Sequence, residues 1–158
     1  MATNTTSGSG RLRVARTCAS GAAALFGAVA TFELALAAGA PLGKAAWGGG
    51  QAHLGAGLRV ASAGAAVMLG GAALVVLRRG GHSVWAPVPQ RWLPRAVWGL
   101  TAYTAAGAAM NAISRSPVER AVMGPTALSL AVLCACVAAW GPKPQEADAE
   151  RQTALASA

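Results

Sequence analysis

Four long apolar stretches, separated by short polar segments, occupy most of this sequence. They run from about 17 to 40, 57 to 77, 96 to 113 and 117 to 140. A helix needs about 20 mostly apolar residues to cross the hydrocarbon core of a bilayer, because it rises about 1.5 Å per residue. The pattern therefore predicts an all-α protein, an integral membrane four-helix bundle formed by residues 17–140.

The composition argues against the two common alternatives, a soluble domain and a disordered chain. Of the 158 residues, 54% are apolar and only 11% are charged, whereas a soluble domain averages about 25% charged residues. A disordered chain needs low hydrophobicity, which this composition lacks. The two ends of the chain are polar and carry no apolar stretch, so we predict disordered cytoplasmic tails at residues 1–16 and 141–158.

Small residues dominate the first, second and fourth stretches, which are rich in Ala, Gly and Ser. Such residues let helix backbones approach closely, and close approach is how helices associate inside lipid. We therefore expect the four helices to pack as one bundle. The first stretch also resembles a secretory signal, but its apolar run exceeds the usual core of about 7–15 residues, so we expect it to be retained.

The basic residues, which give a formal net charge of +8, sit at the ends of the apolar stretches and form no single stripe. That placement argues against a nucleic-acid partner, whereas membrane proteins carry their excess of Lys and Arg on the cytoplasmic side. With both termini in the cytoplasm, the basic residues inside are Arg11, Arg13, Arg16, Arg78, Arg79, Arg91, Arg95, Lys143 and Arg151. The basic residues outside are Lys44, Arg59, Arg115 and Arg120. We therefore predict a multi-pass protein of the plasma (inner) membrane with both termini cytoplasmic.

Glu33 lies inside the first apolar stretch, where a charged side chain is costly. It should face the bundle and have a partner, and Arg59, in the first turn of the second stretch, is the best placed. Asn111 and Ser114, near the outer end of the third stretch, are expected at a similar depth. Three interpretations stay open: a buried Glu33–Arg59 ion pair that fixes helix register, a functional pocket around Glu33, and a carboxylate that reaches the interface.

The segment before the fourth stretch, residues 116–119, reads Ser-Pro-Val-Glu and has the pattern of a capping box. In such a box Ser116 caps the helix and Glu119 reaches back to the Ser116 amide. The flanking Arg115 and Arg120 are candidates to bind a lipid phosphate or the carboxylate of the first stretch.

Glycine and proline mark two further features. Three consecutive glycines, Gly48–Gly50, follow Trp47 in the loop between the first two stretches. No phosphate-binding spacing surrounds them, so we expect a flexible segment. Pro125, about two turns into the fourth stretch, should kink that helix because proline lacks an amide hydrogen.

The sequence contains no motif for a metal or an organic cofactor, and we predict neither. Cys18, Cys134 and Cys136 lie in apolar runs and are expected to pack as small apolar residues. His53 and His82 are predicted on opposite sides of the membrane, so they cannot share a metal.

Two segments carry a resemblance, FELALAAGAPLGKAAWGGG (Phe32–Gly50) and MNAISRSPVERAVMGP (Met110–Pro125). They resemble small four-span integral membrane proteins of high-GC actinobacteria, and the resemblance covers most of the chain. It implies the architecture of that group, and it implies no activity and no catalytic residue.

Three functions are compatible with these residues. The first is a small non-enzymatic or accessory membrane subunit, since no recognisable catalytic set is present. The second is an intramembrane cyclase or isomerase that acts on an isoprenoid or another lipid, with Glu33 as proton donor. The third is a small proton-coupled transporter. The candidate catalytic residues are Glu33, Asn111 and Glu119, and the candidate ligand-binding residues are Arg59, Ser114, Arg115 and Arg120.

The three functions predict different structures. A subunit predicts Glu33 paired tightly with Arg59 and no cavity, whereas an enzyme predicts a closed pocket that ends at Glu33. A transporter predicts internal repeats, and the two halves of the chain show no clear one. The expected partners are membrane lipids, a hydrophobic small-molecule substrate, and a second copy of the chain or another membrane protein.

Overall fold

The computed structural model describes residues 5–142, with side chains from Gly8 onward. Four α-helices make up most of this part of the chain: α1 (Thr5–Ala38), α2 (Ala56–Arg79), α3 (Leu93–Ala112) and α4 (Gly124–Trp140). Residues 5–142 contain no strand, and the predicted all-α bundle is confirmed.

Successive helices run in opposite directions, so the bundle has two ends. One end, which we call the Arg79 end, joins the last turns of α2 and α4 through Arg79. At the other end, which we call the Glu119 end, the loop that follows α1 packs against Glu119, just before α4. At the Arg79 end, the Arg79 guanidinium donates hydrogen bonds to the carbonyl oxygens of Ala138 at 3.0 Å and Pro142 at 2.9 Å. This side chain is 7% exposed, and it satisfies carbonyls that the end of α4 leaves without partners.

Small side chains set the packing between helices. The most extensive contacts join α1 to α2 and α3 to α4, and α1 also packs along α4. Ala19, Ala22 and Phe26 of α1 belong to the central core. A methyl group added at Gly80, directly after α2, would overlap the Ala19 side chain. Close approach of small residues therefore holds α2 against α1, as expected for helices in lipid.

Three helices are long and apolar enough to cross a membrane: Gly8–Ala38, Ala56–Arg79 and Glu119–Trp140. The α3 helix has 20 residues, about 30 Å at about 1.5 Å per residue, but it is not among the three. Its polar and aromatic side chains lower its mean hydropathy; they include Arg95, Trp98, Thr101, Tyr103, Thr104 and Asn111. The predicted helix at 96–113 is present, and its crossing of the membrane stays a prediction.

Large apolar side chains cover the outside of the bundle. Val60, Val67 and Ile113 are 74%, 77% and 77% exposed, respectively. An apolar surface of this kind promotes aggregation in water, whereas in a bilayer it contacts the acyl chains of the lipids. The three apolar helices together with this surface are those of a membrane protein.

The first helix starts earlier than the sequence predicts. It begins at Thr5, so residues 5–16 are helical where a disordered tail is predicted. The segment contains no proline, and extending an existing helix costs far less than starting one. The predicted C-terminal tail, with Lys143 and Arg151, lies outside the described residues apart from 141 and 142.

Candidate functional site at the Glu119 end

A partly open cavity of about 760 Å³ lies between α1 and α3 at the Glu119 end. The loop that follows α1 forms part of its wall through Trp47 and Gly48. Apolar lining comes from Val29, Phe32, Met110, Ile113 and Met123. Polar lining comes from Glu33, Asn111, Ser114, Arg115 and Glu119. The cavity therefore combines a largely apolar wall with two carboxylates.

Both oxygens of Glu119 accept hydrogen bonds. The Gly48 amide donates to Oε1 at 2.8 Å, and the Ser114 hydroxyl donates to Oε2. The side chain is 8% exposed, so these two bonds supply the partners that a buried carboxylate needs. Glu119 thereby holds the loop after α1 against the start of the last membrane-length helix.

Only half of the predicted capping box forms. The Ser116 hydroxyl accepts a hydrogen bond from the Glu119 amide at 3.3 Å, as predicted. The second predicted bond, from the Ser116 amide to the Glu119 carboxylate, is wrong. The Ser116 amide donates instead to the Ser114 hydroxyl at 3.1 Å. The Glu119 carboxylate instead accepts a hydrogen bond from the Gly48 amide. Gly48 belongs to a loop that is distant in sequence, so the pattern at residues 116–119 does not predict this donor.

The helix beyond Glu119 is irregular where Pro125 predicts a kink. Residues Glu119–Met123 form a π-helical turn, and the Gly124 amide donates to the Glu119 carbonyl five residues before it. Pro125 has no amide hydrogen to continue the ordinary pattern. Single π turns are frequent at functional sites, and this one places both Glu119 and Met123 in the cavity wall.

The loop between α1 and α2 is folded, although its glycines predict a flexible segment. Its Lys44 carbonyl accepts a hydrogen bond from the Ser116 hydroxyl at 3.1 Å, and the Trp47 indole donates to the Ser62 hydroxyl at 3.1 Å. Trp47 and Gly48 have φ values of 53° and 78°, in the left-handed region that a non-glycine residue rarely adopts. Gly48 permits this conformation and aims its amide at Glu119.

Glu33 and Arg59 do not meet, so the predicted ion pair is wrong, and the cavity beside Glu33 also departs from the cavity-free arrangement predicted for a bare subunit. The Oε2 atom of Glu33 is buried and has no hydrogen-bond partner among the described residues. The Arg59 side chain donates to the Ala37 carbonyl at 2.9 Å. Glu33 lies on the side of α1 that lines the cavity with α3, whereas Arg59 belongs to α2. The Arg59 guanidinium therefore lies at the C-terminal end of α1, the negative end of that helix dipole.

The cavity gathers most of the predicted site residues. Glu33, Asn111, Ser114, Arg115 and Glu119 all line it. Arg59 and Arg120 are exposed and lie outside the lining. The Asn111 amide donates to the Gly107 carbonyl of its own helix at 2.9 Å. Trp47 and Gly48 also line the cavity and are not among the predicted site residues; the glycine run after Trp47 is the only signal in the sequence that marks them.

The histidines and cysteines lie away from this cavity. His53 lies in the loop of the Glu119 end, and His82 contacts the Ser20 hydroxyl at 3.2 Å near the Arg79 end. Cys134 is fully buried in the core. Within residues 5–142, no group of three or more His, Cys, Asp or Glu side chains is placed to hold a metal ion.

Comparisons of the chain with protein-family models, with curated proteins and with solved structures yield no match. The resemblance to four-span actinobacterial proteins therefore stays a prediction.

Proposed function

We propose that this chain is a non-enzymatic four-span membrane protein that binds a small amphiphile with a positively charged head in the cavity at the Glu119 end. One observation carries the proposal: the buried Oε2 atom of Glu33, in the side chain that lines this cavity, has no hydrogen-bond partner among the described residues. A buried carboxylate oxygen without a partner is costly. A cationic head in the cavity, beside the part of the Glu33 side chain that lines it, would balance the charge of this carboxylate.

The charges of the cavity favour a cation over an anion. Its wall contains two carboxylates, Glu33 and Glu119, and one cationic side chain, Arg115, which is exposed. Glu119 already has a donor on each oxygen, so Glu33 is the acceptor with an unfilled oxygen. A carboxylate attracts an ammonium group strongly where water is scarce.

The size and apolar lining of the cavity fit the remainder of an amphiphile. Its volume of about 760 Å³ falls within the range of about 300–1,000 Å³ typical of small-molecule sites. Phe32, Met110 and Met123 offer apolar contact beside Glu33, and methionine adapts to ligands of irregular shape. The head would pair with Glu33 while the tail contacts these side chains.

The orientation follows from the charges at the two ends. The Arg79 end carries Arg16, Arg78, Arg79, Arg91 and Arg95, and both acidic residues of the described segment lie towards the Glu119 end. Basic residues collect on the cytoplasmic side. We therefore place the Arg79 end and both termini in the cytoplasm, the cavity on the outer side of the plasma membrane, and α3 across the bilayer.

The test uses hexyltrimethylammonium, hexyl sulfate and hexanol with the full-length protein in micelles of a non-ionic maltoside detergent, which carries no ammonium group. We expect the ammonium probe alone to raise the Tm of the native protein. This shift should vanish in Glu33→Gln. In Arg120→Gln, which removes a cation outside the cavity, the shift should persist. Equal shifts with all three probes, or an undiminished shift in Glu33→Gln, would overturn the proposal.

The same unpaired carboxyl group favours a second candidate, an acid-catalysed isomerase of isoprenoid lipids. Glu33 would give its proton to an alkene carbon and regain one from the carbon next to the resulting cation, with no net change in atoms. Incubation of the protein with a long-chain isoprenoid alcohol in D₂O tests it. An isomerase incorporates solvent deuterium into carbon positions of the alcohol, and Glu33→Gln abolishes this carbon-bound incorporation. An alcohol without carbon-bound deuterium after incubation with the native protein contradicts this candidate.

A further inference from the structure

A second depression lies towards the Arg79 end, between α2 and α3. It has a volume of about 570 Å³ and an almost entirely apolar lining. Its walls include Val67, Gly71, Val75, Trp85, Pro87 and Leu100. Contacts between α2 and α3 are few compared with those between α1 and α2. A groove therefore remains open on the outer face of the bundle.

The loop that closes one side of this groove is held in place by Arg78. The guanidinium donates to the Val84 carbonyl at 2.6 Å and to the Gln90 side-chain oxygen at 3.3 Å. These bonds attach Arg78 to the Val84 backbone before, and to the Gln90 side chain after, the groove-lining Trp85 and Pro87. Hydrogen bonds from α2 therefore hold the loop that forms this wall of the groove.

Two exposed arginines follow this loop. Arg91 comes shortly after Pro87, and Arg95 directly precedes Ala96, which also lines the groove. The Arg95 guanidinium lies over the Trp92 ring, 5.1 Å from its centroid. Among the described residues the only acids, Glu33 and Glu119, lie towards the opposite end. Cationic charge that no acidic side chain of residues 5–142 neutralises therefore lies close in the chain to the groove-lining residues Pro87 and Ala96.

We propose that this groove binds one acyl chain of an anionic phospholipid, whose headgroup phosphate pairs with Arg91 and Arg95. The apolar walls match an acyl chain, and guanidinium groups bind phosphate through paired hydrogen bonds. Trp85 and Trp92 flank the site as aromatic residues do at the level of the headgroups. The inference does not depend on the proposed function of the cavity at the Glu119 end.

Native mass spectrometry of the full-length protein tests this site, with phosphatidylglycerol and phosphatidylcholine of identical acyl chains as probes. We expect the native protein to retain phosphatidylglycerol in preference to phosphatidylcholine. Each of Arg91→Gln and Arg95→Gln should weaken retention about fivefold, as expected for one basic residue at an anionic surface. Arg11→Gln and Arg13→Gln remove the same charge from α1 and should leave retention unchanged.

The groove itself is tested by filling it. Gly71→Leu, whose added Cβ would meet only the Pro87 ring at 3.8 Å, should displace the lipid. Gly64→Leu on the same helix, where nothing lies within 4 Å, should not. Val67→Trp fills the groove from an exposed position if Gly71→Leu fails to fold. Equal retention of both lipids, equal losses in the Arg11 and Arg91 variants, or full retention in the groove-filling variant would overturn the proposal.

Discussion

The Gly48 amide donates a hydrogen bond to Oε1 of Glu119 at 2.8 Å. This contact joins residues 71 positions apart, and it ties the loop after α1 to the start of the last membrane-length helix. Because Gly48 and Glu119 both line the cavity, the bond also fixes one part of the cavity wall. Glu33, in the same cavity, has no comparable partner for its buried oxygen within residues 5–142.

Glu119→Ala should destabilise the protein by about 1.5–3 kcal/mol, the range for hydrogen bonds to charged groups. The variant leaves the Gly48 amide and the Ser114 hydroxyl without their acceptor. Glu119→Gln keeps a side-chain oxygen that can accept one of these bonds, so its free energy of unfolding should fall by less than that of Glu119→Ala. Unfolding in mixed micelles of increasing SDS content measures both changes.

Glu33→Ala is the matched control for that series. It removes a carboxylate whose buried oxygen has no partner in the described chain, so stability should stay the same or rise. Equal losses in Glu33→Ala and Glu119→Ala would show that the Gly48 bond is not what makes Glu119 important.

Gly80→Ala should disturb the contact between α1 and α2. The added methyl group would overlap the Ala19 side chain and approach the Ala15 carbonyl at 3.2 Å, and overpacking of this kind costs about 1–3 kcal/mol. Gly64→Ala, which meets nothing within 4 Å, should be neutral or slightly stabilising. Thermal unfolding in detergent compares the two, and a neutral Gly80→Ala would mean that the helices separate easily here.

Arg79→Met should loosen the end of α4. It removes charged hydrogen bonds to the carbonyls of Ala138 and Pro142, at a cost of about 1.5–3 kcal/mol. Arg13→Met changes an exposed arginine of α1 and should have little effect. Hydrogen exchange of the backbone amides of residues 137–141 provides the local readout. Faster exchange there in Arg79→Met alone is expected, and unchanged exchange would contradict the role of Arg79.

The proposed topology is open to cysteine labelling in a variant without its native thiols. Gly50→Cys and Arg115→Cys, in the loops of the Glu119 end, should react with a membrane-impermeant maleimide added to intact cells. Ser83→Cys should react only after permeabilisation, because it lies in the loop of the Arg79 end. Labelling of Arg115→Cys and Ser83→Cys from the same side would mean that α3 does not cross the membrane.

The sequence predicts the helices better than it predicts which way their side chains face. Long apolar stretches reveal α2 and α4 almost completely, because length and hydropathy are local properties. The direction in which Glu33 points depends on the rotation of α1, and alanine-rich helices carry little amphipathic pattern to define it. The Glu119–Gly48 bond also cannot be predicted from local sequence patterns, because it joins segments that are distant in the chain. The early start of α1 at Thr5 reflects helix propagation from a span that is stable for other reasons.

Dicyclohexylcarbodiimide, an apolar carbodiimide to which carboxyl groups add, tests directly whether the Glu33 carboxyl group is accessible from the cavity. Mass spectrometry of peptides from the maltoside-solubilised protein is expected to find the adduct on Glu33. Hexyltrimethylammonium should protect Glu33, and hexyl sulfate should not. An unmodified Glu33, or a Glu33 modified equally with and without the ammonium probe, would contradict the claim that this carboxyl group lines a cavity for a cationic amphiphile.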